Sequence, residues 1–104
     1  MYKLTTFIPD ENIEAVKKAL FDAGAGKIGN YSHCCWQVLG QGQFQPLAGS
    51  NPHIGSQNSI EQVAEWRVEF VVADDICIHS VVQALKDSHP YETPAYDVVK
   101  VESF

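Results

Sequence analysis

The sequence predicts an α+β domain with a ferredoxin-like split βαβ sandwich, two helices covering one face of an antiparallel sheet. Three observations carry this. Apolar spacing switches between period two and period 3.6 in the order strand, helix, strand region, strand, helix, strand. The turn-forming residues cluster between those stretches. The 104 residues suffice for one core, with roughly two-thirds of the extended surface buried on folding, so residues 1–104 read as a single domain.

The first strand is the β-branched and aromatic run Tyr2-Lys3-Leu4-Thr5-Thr6-Phe7-Ile8, closed by Pro9. From Asp10 the period changes. Ile13, Val16, Ala19, Leu20 and Ala23 fall at helical spacing, Asp10, Glu11 and Glu14 stand near the positive end of the dipole, and Gly24 supplies the stop. A glycine-rich stretch from Gly24 to Tyr31 leads into a second strand over residues 33–39. Gly40-Gln41-Gly42 reads as a short hairpin loop into Gln43-Phe44-Gln45-Pro46.

Residues 47–60 hold too many turn formers for a regular element. The clearest strand follows, Ala64, Trp66, Val68, Phe70 and Val72 alternating with Glu65, Arg67 and Glu69. Asp74-Asp75 open a second helix, with Ile78, Val81, Val82 and Leu85 on one stripe, and it ends before Pro90. A loop stiffened by Pro90 and Pro94 precedes a last strand over residues 95–101. Such a sheet has one face without helices, and aromatic residues there predict cover by a protein partner or by self-association.

Seven basic against thirteen acidic residues give a net charge of −6 and a pI near 5. That excludes the clustered Lys and Arg of a nucleic-acid footprint. A hydrophobic content of 45% excludes a disordered chain. No run approaches the ~18 apolar residues of a membrane span, and no signal-peptide core follows Met1, so the expected location is cytoplasmic. Cys34, Cys35 and Cys77 make an odd count without framework spacing, which predicts reduced thiols.

Four features could carry chemistry. His33 and Cys35 are imidazole and thiolate donors suited to a divalent metal. Strand alternation puts them on one face, with Cys34 on the other beside Trp36 and Val38, so one strand offers two ligands at most. Buried or interface thiols are the competing reading. Cys77, beside Ile76 and Ile78, reads as packed, and His79 as solvent-facing.

The third feature is Gly24-Ala25-Gly26-Lys27-Ile28-Gly29, spelling G-x-G-x-x-G. It follows a helix instead of opening one, so it predicts a helix cap and a close turn whose backbone could still approach a ligand. The fourth is the polar concentration His89, Tyr91 and Glu92 on the proline-stiffened loop. General acid–base chemistry there would need a partner and a cleft, and a fixed turn with Tyr91 packed is the alternative.

Taken in order, Phe7-Ile8-Pro9 with Glu11-Asn12, GAGKIGNY over residues 24–31, GQGQFQP over 40–46 and HPYETPAYDV over 89–98 resemble the YqfO family. A similar domain is inserted in the larger Nif-three-like dinuclear metal-centre proteins. The resemblance implies a CutA-like and PII-like fold that assembles as a homotrimer. It also implies that the dinuclear centre of the larger proteins, built by their flanking halves, is not carried by this segment.

Three functions are open at this stage. The first is a non-enzymatic trimeric binding or regulatory module holding a small ligand or ion between subunits, with Gly26, Gly29, Asn30, Tyr31, His89, Tyr91 and Glu92 lining the cleft. The second is a CutA-like divalent-metal binder using His33 and Cys35. The third is an enzyme, for which the sequence offers no nucleophile–base pair.

Overall fold

The computed structural model describes all 104 residues. In chain order it contains β1 (Tyr2–Pro9), a 3-10 turn (Asp10–Asn12), α1 (Ile13–Asp22), β2 (Trp36–Phe44), β3 (Glu61–Val72), α2 (Ile78–Ser88) and β4 (Tyr96–Lys100). The four strands form one antiparallel sheet in the order β2-β3-β1-β4. This is the split βαβ arrangement, with both helices on one face. No helix is long and apolar enough to cross a membrane.

The strand register decides which residues become core. Leu4 lies opposite Phe70, Thr6 opposite Val68 and Ile8 opposite Trp66, so the even-numbered residues of β1 and β3 share the helix-covered face. Leu4, Thr6, Ile8, Val68 and Val72 are fully buried there, as are Val16 and Leu20 of α1 and Val81 and Leu85 of α2. Each such aliphatic side chain contributes roughly 1.5–3 kcal/mol by leaving water. Thr6 is tolerated in this apolar layer because its hydroxyl donates to the Ala95 carbonyl at 2.9 Å.

The opposite face has no covering helix. It carries Lys3, Thr5 and Phe7 of β1, Glu65, Arg67 and Glu69 of β3, Trp36 and Val38 of β2, and Asp97 and Val99 of β4. Trp36 is 58% exposed and Val99 48% exposed. The expected apolar surface is therefore present, with Trp36 as its exposed aromatic, while Trp66 and Phe70 go to the helix side. Past Pro9, residues 61–64 pair only with residues 41–44, so β2 and β3 project as an arm and the molecule is elongated, 46 × 24 × 24 Å.

Three expectations need correction. The hairpin loop at Gly40-Gln41-Gly42 does not form, because β2 runs unbroken to Phe44 with Gly40 opposite Glu65 and Gly42 opposite Val63. Gly42 lies beneath the Glu65 side chain of β3, whose carboxylate occupies the space a Cβ would take. Here glycine marks a close cross-strand approach instead of a turn.

Second, residues 33–35 are not strand. Gly26, at φ +82°, donates its N–H to the Val71 carbonyl at 2.8 Å and accepts from the Cys34 N–H at 2.9 Å. Those bonds tie the 24–34 segment across the end of β3, His33 takes φ +59°, and the extended strand starts only at Trp36. Third, Cys77 is exposed instead of packed. It stands at the N-cap of α2, where the nearby Ser80 hydroxyl and the backbone amides of Ser80 and His79 lower the thiol pKa against the effect of desolvation. His79 is exposed as expected.

Gly26→Ala should be costly. A Cβ would stand 2.7 Å from the Cys34 carbonyl oxygen and 2.8 Å from the Phe21 ring, on a positive φ. The expected loss is about 2–4 kcal/mol in urea unfolding. Gly29→Ala, at φ +56° with open space around it, should lose only about 1–2 kcal/mol.

Candidate functional site

A cavity of about 670 Å³ opens where the β2–β3 arm leaves the sheet, between the 45–60 loop and the loop that follows α2. Phe7, Phe44, His53, Glu65, Tyr91 and Glu92 form its characteristic wall. Phe7 and Glu65 come from the two central strands, Phe44 from the end of β2, and the others from the two loops.

His89 sets the geometry of the post-α2 loop. It is 6% exposed. Its Nε2–H donates to the Phe7 carbonyl at 2.7 Å, and its Nδ1 accepts from the Tyr91 N–H at 3.1 Å. These two bonds define a neutral ring in one tautomer. Burial lowers its pKa, against the opposing pull of the Phe7 carbonyl and the Glu65 charge.

Tyr91 follows directly and is packed among aromatic rings, with centroids 4.9 Å from His89, 5.7 Å from Phe44 and 6.4 Å from His53. Its hydroxyl oxygen is buried and has no hydrogen-bond partner. Burial, with the Glu65 carboxylate nearby, pushes the phenol far above its usual range. The Glu65 carboxylate approaches the hydroxyl closely enough to favour its protonated form, short of full hydrogen-bond geometry. Glu92 accepts the Asn51 N–H through both carboxylate oxygens, at 3.3 and 3.2 Å, and so straps the 45–60 loop to the post-α2 loop.

The cavity thus pairs aromatic walls with the carboxylate of Glu65, while the Tyr91 hydroxyl is itself sealed from solvent. Such a site can bind and orient a small molecule. The serine at its rim, Ser50, already donates to the Leu47 carbonyl at 2.6 Å.

The predicted ligand residues are divided by the fold. Tyr91 and Glu92 line the cavity. His89 does not line it; it lies beneath, with both ring nitrogens committed, and acts as a positioning residue. Gly26, Gly29, Asn30 and Tyr31 sit at the other end of the sheet, where Gly26 bonds Val71 and Ile28 pairs with Tyr31 through two bonds of 2.9 Å. Glu65 and Val71 are six residues apart on β3, about 20 Å at roughly 3.3 Å per residue. One chain therefore does not bring the glycine turn to the cavity, and Tyr31 is left 76% exposed.

His33 and Cys35 do meet, in a separate shallow hollow with Glu14, Lys17, Lys18 and Phe21. Ring packing of His33 on Phe21 at 4.9 Å, and not strand alternation, puts His33 there. No group of three or more His, Cys, Asp or Glu side chains is placed to hold a metal, and the two lysines oppose a cation in that hollow. Phe7, Phe44, His53 and Glu65 were missed in the sequence. Gly42 was their one local trace, since it makes room for Glu65.

The architecture is of the CutA/PII-like class. CutA1 from Pyrococcus horikoshii superposes with a TM-score of 0.69 at 20% identity, over 100% of this chain and 86% of that one, a likeness of fold alone. By sequence, the chain is 51% identical over 96 residues to the "GTP cyclohydrolase 1 type 2 homolog" of Mycobacterium bovis, covering 92% of this chain and 25% of that protein. The Bacillus cereus protein related to NIF3 gives a TM-score of 0.81 at 39% identity, over 98% of this chain and 26% of the other. No family model matches the chain. The chain is homologous to one segment of the YqfO and NIF3-related proteins, as its four motifs indicated, and spans about a quarter of the length of the curated relatives it matches.

Proposed function

We propose that this chain is a non-enzymatic binding and regulatory module that works as a homotrimer and holds a small ligand in the Phe44–Tyr91 cavity. The observation that carries the reading is a 670 Å³ cavity whose wall brings Phe7, Phe44, His53 and Tyr91 together with the Glu65 carboxylate. Volumes of ~300–1,000 Å³ are typical of small-molecule sites.

The trimer is supported by the uncovered sheet face with Trp36, Val38 and Val99 exposed. It also supplies the one route by which Gly26, Gly29, Asn30 and Tyr31 could join Tyr91 and Glu92, since a turn at one end of a sheet can meet the cavity of a neighbouring copy. The free thiols fit a cytoplasmic setting. The name carried by the relatives describes proteins of which this chain matches a quarter, and the proposal assigns none of their activity to this segment.

Amide resonances followed by heteronuclear NMR during titration with small aromatic fragments test the reading. Saturable shifts should cluster at Phe44, His53 and Tyr91–Thr93. Shifts confined to His33 and Cys35, or none with any fragment, would overturn it. Gly42→Ala displaces the Glu65 carboxylate from its seat and should weaken such binding by about tenfold, or 1.4 kcal/mol, with the sheet intact.

A further inference from the structure

Resting on that reading, we infer that the cavity selects an organic cation: a protonated amine on a planar apolar body, with the ammonium seated against Glu65. The charges on its wall point this way. Glu65 and Glu92 line the cavity, while no lysine or arginine does. The two carboxylates are not equivalent. Glu92 is occupied by the Asn51 amide at the rim, whereas half-buried Glu65 takes part in none of the chain's ion pairs.

A partly desolvated carboxylate without a countercharge is stabilised by a bound cation. The rings of Phe44 and Tyr91 offer the aromatic surface on which ammonium groups are held. A phosphate or carboxylate ligand would find the opposite. It would enter a wall with two carboxylates and His53 as the one basic side chain, with no lysine or arginine, on a chain of net charge −6. The class disfavoured is therefore the anionic one, nucleotides among it.

The test compares three probes of one shape on the native protein by NMR titration: 2-phenylethylamine, 2-phenylethanol and 3-phenylpropionate. The amine should shift Phe44 and Tyr91 saturably and bind at least about tenfold more tightly than the carboxylate, with affinity falling as salt is raised. Glu65→Gln should abolish that preference and leave 2-phenylethanol unaffected. Equal or tighter binding of the alcohol or carboxylate at the same resonances would overturn the cation assignment and leave the cavity reading standing. Binding of none of the three would overturn both. The comparison among probes uses unaltered protein, so it decides the matter even if the Glu65 variant does not fold.

Discussion

Phe70→Ala is expected to cost about 3–5 kcal/mol, the largest loss of any single truncation in this chain. Phe70 sits mid-strand in β3, 1% exposed, opposite Leu4, with the Phe21 ring edge-on at 5.5 Å. It is the largest fully buried side chain, and the strands on either side cannot collapse into the space it would leave. Urea unfolding at fixed protein concentration reads the change as a lower midpoint at unchanged slope. Phe70→Leu, which keeps most of the volume, should lose less than about 1.5 kcal/mol. Equal losses for the two would mean that the β3–α1 contact is not the centre of the core.

His89→Ala is expected to destabilise by about 2–3 kcal/mol, since it strips partners from the Phe7 carbonyl and the Tyr91 amide and opens a small void. The loss should depend on pH. Burial holds the native His89 pKa below its ordinary 6.5, so in the window just below 6.5 the unfolded chain binds a proton that the native state resists. The unfolded state then holds more protons, and stability rises with pH in that window. The contribution is complete above about pH 6.5 and falls as acid is added, by up to about 1.4 kcal/mol per pH unit until the native pKa is reached. Unfolding free energies at pH 5, 6 and 7 should show this slope in the unaltered protein and a flatter one in His89→Ala. A slope identical in both would place the titration elsewhere.

Much of the scaffold was legible because it follows local periodicity. The stripe Ile13, Val16, Leu20 gave α1, Ile78, Val81, Val82, Leu85 gave α2, and the alternation through Val68, Phe70 and Val72 gave β3, each within a few residues of its observed bounds. What failed was decided between strands. Gly40 and Gly42 look like a turn when read along the chain, but they are strand residues because Glu65 reaches over Gly42 from β3. His33 and Cys35 looked like strand neighbours, until the Gly26 bonds to Val71 and Cys34 held that segment out of the sheet.

The candidate site was half legible for the same reason. Tyr91 and Glu92 stand out locally on a loop held by two prolines, whereas Phe7, Phe44, His53 and Glu65 come from separate elements and meet only in the fold. His89 attracted attention as a titratable group in that motif. Its two hydrogen bonds make it the support of the cavity floor, a role that no spacing along the chain expresses.

The central claim is that copies of this chain close the uncovered sheet face, so that cavity and glycine turn meet across subunits. Native mass spectrometry at micromolar concentration tests it most directly. A species at three times the 11.5 kDa chain mass is expected, shifted toward single chains by Trp36→Glu on the exposed face. Single chains of 11.5 kDa throughout the concentration range, unchanged by that substitution, would contradict it.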